Sequence, residues 1–86
     1  MNKKPIKFNP HANYSMKRRG STEKEVRETI RKSPWLPAKK GRLECEAEFV
    51  YNKDWHGKFY RYKKVRPVFA EEKEEIAVIT VYTFYY

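Results

Sequence analysis

Residues 43–51 read LECEAEFVY, in which apolar and acidic side chains alternate along most of the stretch. The apolar register contains Cys45 and Phe49, and the other register contains Glu44, Glu46 and Glu48. A repeat of two is typical of a β-strand that buries one face and exposes the other. We therefore expect the cysteine and the phenylalanine to be buried and the three glutamates to face solvent.

Two more strands are expected after this one. Residues 58–69 read KFYRYKKVRPVF, and residues 76–86 read IAVITVYTFYY, which is rich in the β-branched and aromatic residues that favour strands. The polar stretches between the strands are too short for a crossover helix, so neighbouring strands are expected to pair antiparallel. Pro67 has no N–H for a ladder, which confines its strand to an edge, a bulge or a strand end. The last strand is expected at the centre of the sheet.

Two short helices are expected before the strands. Asn9 is a suitable N-cap with Pro10 in the first turn, and Gly20 is a suitable residue to end that helix. The motif Thr22-x-x-Glu25 is a capping box that begins a second helix. The predicted fold is therefore α+β, with two short N-terminal helices packed on an antiparallel sheet of three to four strands.

The length and composition fit one small domain without disulfide bonds. The 86 residues include 40% hydrophobic and 16% aromatic side chains, enough for a core. Residues 9–86 are expected to form this domain, and residues 1–8 a flexible basic tail. A single cysteine excludes an intramolecular disulfide and fits the reducing cytoplasm. No membrane span or signal peptide is expected, and a homodimer is one expected form of a domain this small.

Charge is the strongest compositional signal. The net charge is +9, and residues 1–42 hold thirteen basic against three acidic side chains. Residues 57–70 add five basic side chains and no acidic one. Such a surface attracts polyanions through counterion release, so RNA, ribosome-associated RNA included, is the expected partner. The alternative is that these charges only keep the protein in solution.

Several kinds of chemistry lack their motifs. The two histidines stand in no metal-ligand spacing, and the chain has neither a phosphate-binding loop nor a dinucleotide-binding glycine pattern. We therefore expect no metal site and no cofactor. Cys45 lies in the buried register of its strand and is expected to be a small core residue rather than a nucleophile.

The side chains that remain are those that a metal-independent ribonuclease needs. Cleavage by the RNA's own 2′-OH requires an acid, a base, and cations that stabilise the charge on the phosphate. One face of the first predicted helix carries His11, Tyr14, Ser15 and Arg18, and Arg19 flanks it. The alternative, that His11 is an ordinary exposed residue of the first turn, stays open.

The second predicted strand carries an alternating aromatic and basic row. One face, by the period of two, contains Tyr60, Tyr62, Lys64 and Arg66. Lys63 adds to the basic run, and Thr80 and Tyr82 share a register on the last strand that lines the same surface. Rows of this kind stack bases and hold phosphates in proteins that bind single-stranded nucleic acid. The alternative is a strand whose long side chains cover a thin core.

Several motifs together resemble a small bacterial and archaeal family known as a domain of unknown function. They are HANYSMKRRGSTEKEVRETI at residues 11–30, followed by SPW, GRLE, GKFYRYKKVRPVF and VITVYTFYY, so that the resemblance spans residues 9–86. That family is similar in fold to RelE/ParE-type toxins and to the barnase-, colicin- and EndoU-like metal-independent ribonucleases.

The resemblance implies a RelE-like fold and a toxin-type activity. As site residues it points to His11, Arg18 or Arg19, Arg66, Thr80 and Tyr82. It also implies a separate, acidic antitoxin protein as partner. ParE-type relatives act on gyrase instead of RNA. The long charged loop SPWLPAKKGR, residues 33–42, is a departure that bears on the shape of any cleft.

The leading hypothesis is a toxin-type, metal-independent endoribonuclease. His11 is its general acid or base, Arg66 stabilises the transition state, and Tyr82 stacks on a base or transfers a proton. The residues assigned to RNA binding are Arg18, Arg19, Tyr60, Tyr62, Lys63, Lys64 and Thr80. The alternatives are a non-catalytic RNA-binding or protein-interaction module on the same fold, and a gyrase-directed toxin.

Overall fold

The computed structural model describes residues 4–86 and has the predicted α+β composition, with two helices and six strands in that part of the chain. In chain order the elements are β1 (Ile6–Phe8), α1 (Pro10–Arg19), α2 (Glu23–Lys32), β2 (Leu36–Pro37), a 3₁₀ turn (Lys39–Gly41), β3 (Leu43–Glu44), β4 (Ala47–Trp55), β5 (Lys58–Glu71) and β6 (Ile76–Tyr85).

Both predicted helices begin where their capping residues indicate. The Asn9 side chain accepts a hydrogen bond from the backbone N–H of Ala12 at 2.8 Å, and α1 ends at Gly20 in the left-handed region, with φ 82°. Thr22 and Glu25 form both hydrogen bonds of the capping box at the start of α2. These local signals therefore set where both helices begin and where α1 ends.

The sheet is mixed and six-stranded, so the prediction of an antiparallel sheet of three to four strands is wrong. Its strand order is β1-β6-β5-β3-β2, and β4 also pairs with β5. The additional strand β1 runs parallel to β6, with Ile6 opposite Ile76 and Phe8 opposite Val78. This pairing joins the first strand of the described chain to the last one, so local turn signals carry no information about it.

Within the predicted tail, residues 1–8, Ile6–Phe8 form β1; residues 1–3 lie outside the described part of the chain. Ile6 is only 3% exposed, and the Pro5 carbonyl accepts a hydrogen bond from Ile76 N at 2.9 Å. Burial of an apolar side chain together with ladder hydrogen bonds holds this segment in the sheet.

The alternating stretch at residues 43–51 is divided between β3 and β4. Cys45 is buried as predicted and Phe49 is half-buried, while Glu46 and Glu48 are exposed and Glu44 is partly so. The division lies opposite Pro67, which has no N–H, and the register with β5 is the same on both sides of it. Pro67 therefore lies inside a central strand and not at an edge or a strand end, and the ladder with β6 shifts register one residue later, between Val68 and Phe69, next to the predicted position of a bulge.

The strand at the centre of the sheet is β5 rather than the last strand. It pairs with β3 and β4 on one side and with β6 on the other. One face of β5 carries Val65, Pro67 and Phe69, which are fully buried under the helices. The core that they share with α1 and α2 includes Ala12, Met16, Val26 and Ile30.

Helix α1 continues along β6 where β1 ends. The Ser15 and Thr80 hydroxyls are 3.1 Å apart, and Arg19 Nη1 donates to the Val81 carbonyl at 3.0 Å. The Tyr85 hydroxyl in turn donates to the Arg19 carbonyl at 2.6 Å. Arg19 thus satisfies one backbone carbonyl of β6 beyond the part that β1 pairs with, and the three contacts together hold the end of α1 beside β6.

Candidate nucleic-acid interface

The helices cover one side of the sheet and leave the other side open. Directly opposite residues of paired strands point to the same side, which places the open residues in rows across the sheet. We call this surface the open face; its members are Glu44, Glu46, Glu48 and Val50 from β3, β4 and the residues between them, Tyr62, Lys64, Arg66 and Val68 from β5, and Thr80, Tyr82, Phe84 and Tyr86 from β6 and the residue after it. The open face therefore consists of a largely acidic column, a column with two cations, and a largely aromatic column.

The middle of the open face brings three predicted site residues together. Arg66 and Tyr82 are direct cross-strand neighbours on β5 and β6. The Arg19 guanidinium lies 5.1 Å from the centre of the Tyr82 ring, and the Arg66 guanidinium lies 5.1 Å from that of Phe84. Tyr82 is 42% exposed. Two guanidinium groups and a phenol are thus gathered on a surface that a ligand can reach.

The cations of this face are already paired with a glutamate. Nε and Nη2 of Arg66 both donate to Glu46 Oε1, at 3.0 and 2.8 Å, and Lys64 Nζ lies 3.6 Å from Glu46 Oε2. The hydrogen bond from Arg66 is the main reason that the pKa of Glu46 is lowered, and Lys64 lowers it further. Phosphate therefore has to compete with this carboxylate for both cations.

Lys63 does not belong to the open face, which corrects its assignment to RNA binding. It is 5% exposed, its Nζ lies 2.9 Å from Glu25 Oε2, and it donates to the Gly20 carbonyl at 3.0 Å. Its register is that of the buried Val65. The period of two indicates this position, although lysines are seldom buried unless they are paired.

The predicted row of Tyr60, Tyr62, Lys64 and Arg66 is only partly a unit. Tyr62 lies against Tyr86, with the ring centres 5.8 Å apart, on the same face as Lys64 and Arg66. The ring of Tyr60 instead lies 5.6 Å from that of Tyr85. Tyr85 is directly opposite Lys63 in the ladder and contacts the end of α1, which is on the covered side.

The structure does not bring His11 into contact with Arg66 or Tyr82. His11 is exposed in the first turn of α1 and forms no hydrogen bond or ion pair within residues 4–86. One turn later, Ser15 is buried and bonds Thr80. Arg18 is exposed in the last turn of the helix. Helix α1 therefore contributes Arg19 directly to the open face, and the catalytic role of His11 stays a prediction.

Sequence reasoning missed a second group of cations, on the loop after β2. Lys39, Lys40 and Arg42 line a cleft of about 610 Å³ whose other side includes Thr80 and Tyr82. None of these three cations has an ion pair with a described residue. The signal was present in the charged run of residues 37–42, but the side of the sheet that this loop borders depends on the pairing of β2 with β3.

Metal binding and thiol chemistry have no site within residues 4–86. Residues 4–86 contain no cluster of three or more histidine, cysteine or acidic side chains suited to hold a metal ion. Burial raises the pKa of the Cys45 thiol to about 12, so this side chain is a neutral core group. Among the helices within residues 4–86, none has the length and apolar character needed to cross a membrane.

Comparison with known proteins adds no relative to this description. No protein-family model, no curated protein and no solved structure matches the chain. The relationship to RelE/ParE-type toxins therefore stays a prediction from the sequence motifs.

Proposed function

We propose that this protein binds single-stranded RNA on its open face and cleaves it by attack of the RNA's own 2′-OH, as a toxin-type endoribonuclease that needs no metal ion. The observation that carries the proposal is the cross-strand pair of Arg66 and Tyr82, with Arg19 against the tyrosine ring. Two permanently charged guanidinium groups beside a phenol match what a phosphate needs when negative charge builds up on it.

Each of these side chains has a defined task in the proposed reaction. Arg66 contacts the non-bridging phosphate oxygens, and Glu46 releases it when the phosphate arrives. Tyr82 provides a ring for stacking or a hydroxyl for proton transfer. His11 takes the proton of the 2′-OH or returns one to the leaving oxygen, because its imidazole is exposed and histidine is the side chain most often used as a general acid or base. The substrate then bridges the first turn of α1 and the open face.

The aromatic column explains why the ligand is expected to be single-stranded. Tyr62, Tyr82, Phe84 and Tyr86 lie on one surface, and three of them are more than 40% exposed. Unpaired bases stack on such rings with little sequence preference, whereas the bases of a duplex are already stacked on each other.

A non-catalytic RNA-binding module is the second candidate. Two observations favour it: Glu46 occupies Arg66 and Lys64, and His11 has no contact with Arg66 or Tyr82. In that case the open face binds RNA and leaves it intact. If the protein is a toxin, we expect its neutralising partner to be a separate acidic protein.

Cleavage of a labelled single-stranded RNA in EDTA separates the two candidates. We expect products with 2′,3′-cyclic phosphate ends and no reaction on a substrate whose 2′-OH is replaced by hydrogen. His11→Ala should lower the rate by about 10²- to 10⁴-fold if His11 is the acid or base. Arg66→Gln should lower the rate more than the affinity, because its contact strengthens in the transition state.

The second histidine provides a matched control. His56 lies in the turn between β4 and β5 with φ 51°, a conformation that asparagine tolerates, so His56→Asn should keep the wild-type rate. A requirement for Mg²⁺, or a full rate without His11, contradicts the catalytic assignment. Intact RNA that is nevertheless bound supports the non-catalytic module.

A further inference from the structure

The cleft between the loop of residues 37–42 and β6 has the size and composition of a ligand site. Its volume of about 610 Å³ falls in the range of roughly 300–1,000 Å³ found for small-ligand pockets. Thr80 and Tyr82 lie on one side of it, and the loop lies on the other. Val68 of β5 lies between them, since it pairs with Glu44 on one side and with Thr80 on the other.

The cleft holds positive charge that the protein itself does not neutralise. Lys39, Lys40 and Arg42 face a single carboxylate of the lining, Glu44, and none of the four takes part in an ion pair within residues 4–86. The cations of β5 differ from them, because Lys63, Lys64 and Arg66 each have a glutamate partner, and Lys58 and Arg61 lie outside the cleft. An anion that enters the cleft therefore displaces no internal partner.

The loop that carries these cations is held in one shape. Ala38 N donates to the Arg42 carbonyl at 2.8 Å, and Arg42 N donates to the Lys39 carbonyl at 3.2 Å. On either side of the turn, β2 pairs with β3. The backbone is thus ordered before a ligand binds, which lowers the entropic cost of binding.

Tyr82 provides an aromatic surface at the same cleft. The Arg19 guanidinium lies over its ring and is itself fixed by the Val81 carbonyl, so the ring is supported from the side of α1. A base that enters the cleft meets a ring that is 42% exposed. Base stacking on such a ring contributes substantially to binding of single-stranded nucleic acid.

We propose that this cleft is a nucleotide subsite, in which Lys39, Lys40 and Arg42 bind one phosphate group of the RNA and Tyr82 stacks on the adjoining base. The proposal rests on the proposed function, since it takes RNA to be the ligand of the open face. The subsite extends the open face to the loop of residues 37–42, which is outside the predicted RNA-binding set. The unpaired cations of the interface are concentrated on this loop.

Two double variants of equal charge test the phosphate contacts. The probe is a fluorescent 2′-O-methyl RNA hexanucleotide, which lacks the attacking hydroxyl and stays intact during titrations at several salt concentrations. K39Q/K40Q should weaken binding and reduce the slope of log affinity against log salt by up to roughly 1.4, since each lysine that no longer neutralises phosphate charge removes about 0.7. K24Q/K32Q removes two exposed lysines of α2, on the covered side, and should leave the slope at its wild-type value.

Two substitutions of Tyr82 test the stacking contact. Tyr82→Phe keeps the ring and should keep the affinity for the hexanucleotide, whereas Tyr82→Leu should weaken binding roughly 5- to 150-fold. Thermal unfolding of all four variants should match that of the wild type, because every substituted side chain is exposed. Equal affinities for the phenylalanine and leucine variants overturn the stacking contact.

The outcomes also separate this proposal from the proposed function. If the wild type has no affinity for the hexanucleotide at low salt, both are wrong. If the wild type binds and K39Q/K40Q behaves like K24Q/K32Q, only the subsite is wrong. If a polyglutamate peptide competes with the hexanucleotide and binds independently of Tyr82, the cleft is a site for acidic protein segments, and the nucleotide subsite is overturned.

Discussion

The two faces of β5 use the same residue type in different ways. Lys63 and Lys64 are neighbours in the chain and point to opposite sides of the sheet. Lys63 is buried and links the sheet to both helices through Glu25 and the Gly20 carbonyl. The side chain of Lys64 is 34% exposed, and it shares Glu46 with Arg66. The covered lysine is therefore a structural element, and the open one is a cation that can exchange its partner.

This difference shows why net charge alone does not locate a binding surface. The sequence carries a net charge of +9, and its basic run at residues 57–70 suggests a uniformly positive strand. In the folded protein the acidic column of β3 and β4 lies beside that strand and compensates it. Three cations without an ion pair among residues 4–86, Lys39, Lys40 and Arg42, lie instead on the loop of residues 37–42. A polyanion is bound by the charge that remains after internal pairing.

The largest expected effect is a difference in stability between substitutions of the two adjacent lysines. Lys63→Ala leaves a partly buried Glu25 and the Gly20 carbonyl without their partner, so it should lower the free energy of unfolding by about 2–3 kcal/mol. Lys64→Ala removes an exposed ion pair and should cost less than about 1 kcal/mol. Urea denaturation measures both values, and equal losses would show that the two faces do not differ in this way.

A second comparison tests how tightly the covered face is packed. Gly20 and Gly57 both have a positive φ, 82° and 84°. A Cβ at Gly20 would lie 2.5 Å from the Tyr85 hydroxyl oxygen and 2.6 Å from the Trp55 ring, whereas at Gly57 it would have no neighbour within 4 Å. Gly57→Ala should therefore cost about 1 kcal/mol from backbone strain alone.

Gly20→Ala should cost about 1–2 kcal/mol more than Gly57→Ala, because the helix end and the aromatic side chains must separate. The same denaturation measurement gives this value. Identical values for the two variants would mean that Tyr85 and Trp55 move aside freely, so that the end of α1 is loosely held.

The smallest expected effect concerns the open face. Glu46→Gln frees Arg66 and Lys64 and should raise the affinity for single-stranded RNA by about 2- to 5-fold, the range expected for an exposed ion pair. Glu28→Gln, on an exposed face of α2, changes the net charge equally and is the control. Binding titrations that show the same gain for both variants would attribute the effect to net charge alone.

The pH dependence of stability gives an independent measure of the same contact. The pKa of Glu46 is lowered in the folded protein, chiefly by Arg66. Its pairing therefore stabilises the fold above the ordinary carboxyl pKa of about 4, and this stabilisation is lost as the pH falls through the lowered value. The free energy of unfolding of the Glu46→Gln variant should therefore fall less on acidification than that of the wild type, and the difference should equal the contribution of this pairing.

Local signals predicted much of the fold, and distant contacts account for what they missed. Asn9 and the Thr22 capping box specify both helices within a few residues of each helix start. The pairing of Glu46 with Arg66 depends on the register between two segments of the sheet, and the sequence of neither segment determines that register on its own. Periodicity places Lys63 in the buried register of Val65, and its pairing with Glu25 of α2 depends on how the helix packs on the sheet.

The candidate site shows the same limit. The sequence predicts Arg66 and Tyr82 on one surface, and only the ladder between β5 and β6 makes them direct neighbours. The basic loop was visible as a run of charges, but its position beside Tyr82 depends on how β2 folds back on β3. His11 illustrates the reverse case, because its predicted helix position is correct and still does not bring it to the other site residues.

The parallel pairing of β1 with β6 also has a consequence for the order of folding. The hairpins of β4 with β5 and of β5 with β6 join segments that are adjacent in sequence, so each closes a short loop at low entropic cost. β1 has no strand partner until β6 is in place, and the loop that it closes contains most of the domain. We therefore expect the hairpins to form early and β1 to dock late. The contact between β1 and β6 joins residues far apart in sequence, and such contacts form slowly. The same segment should be among the first to open from the native state, and its opening would leave the outer edge of β6 unpaired at Ile76–Val78.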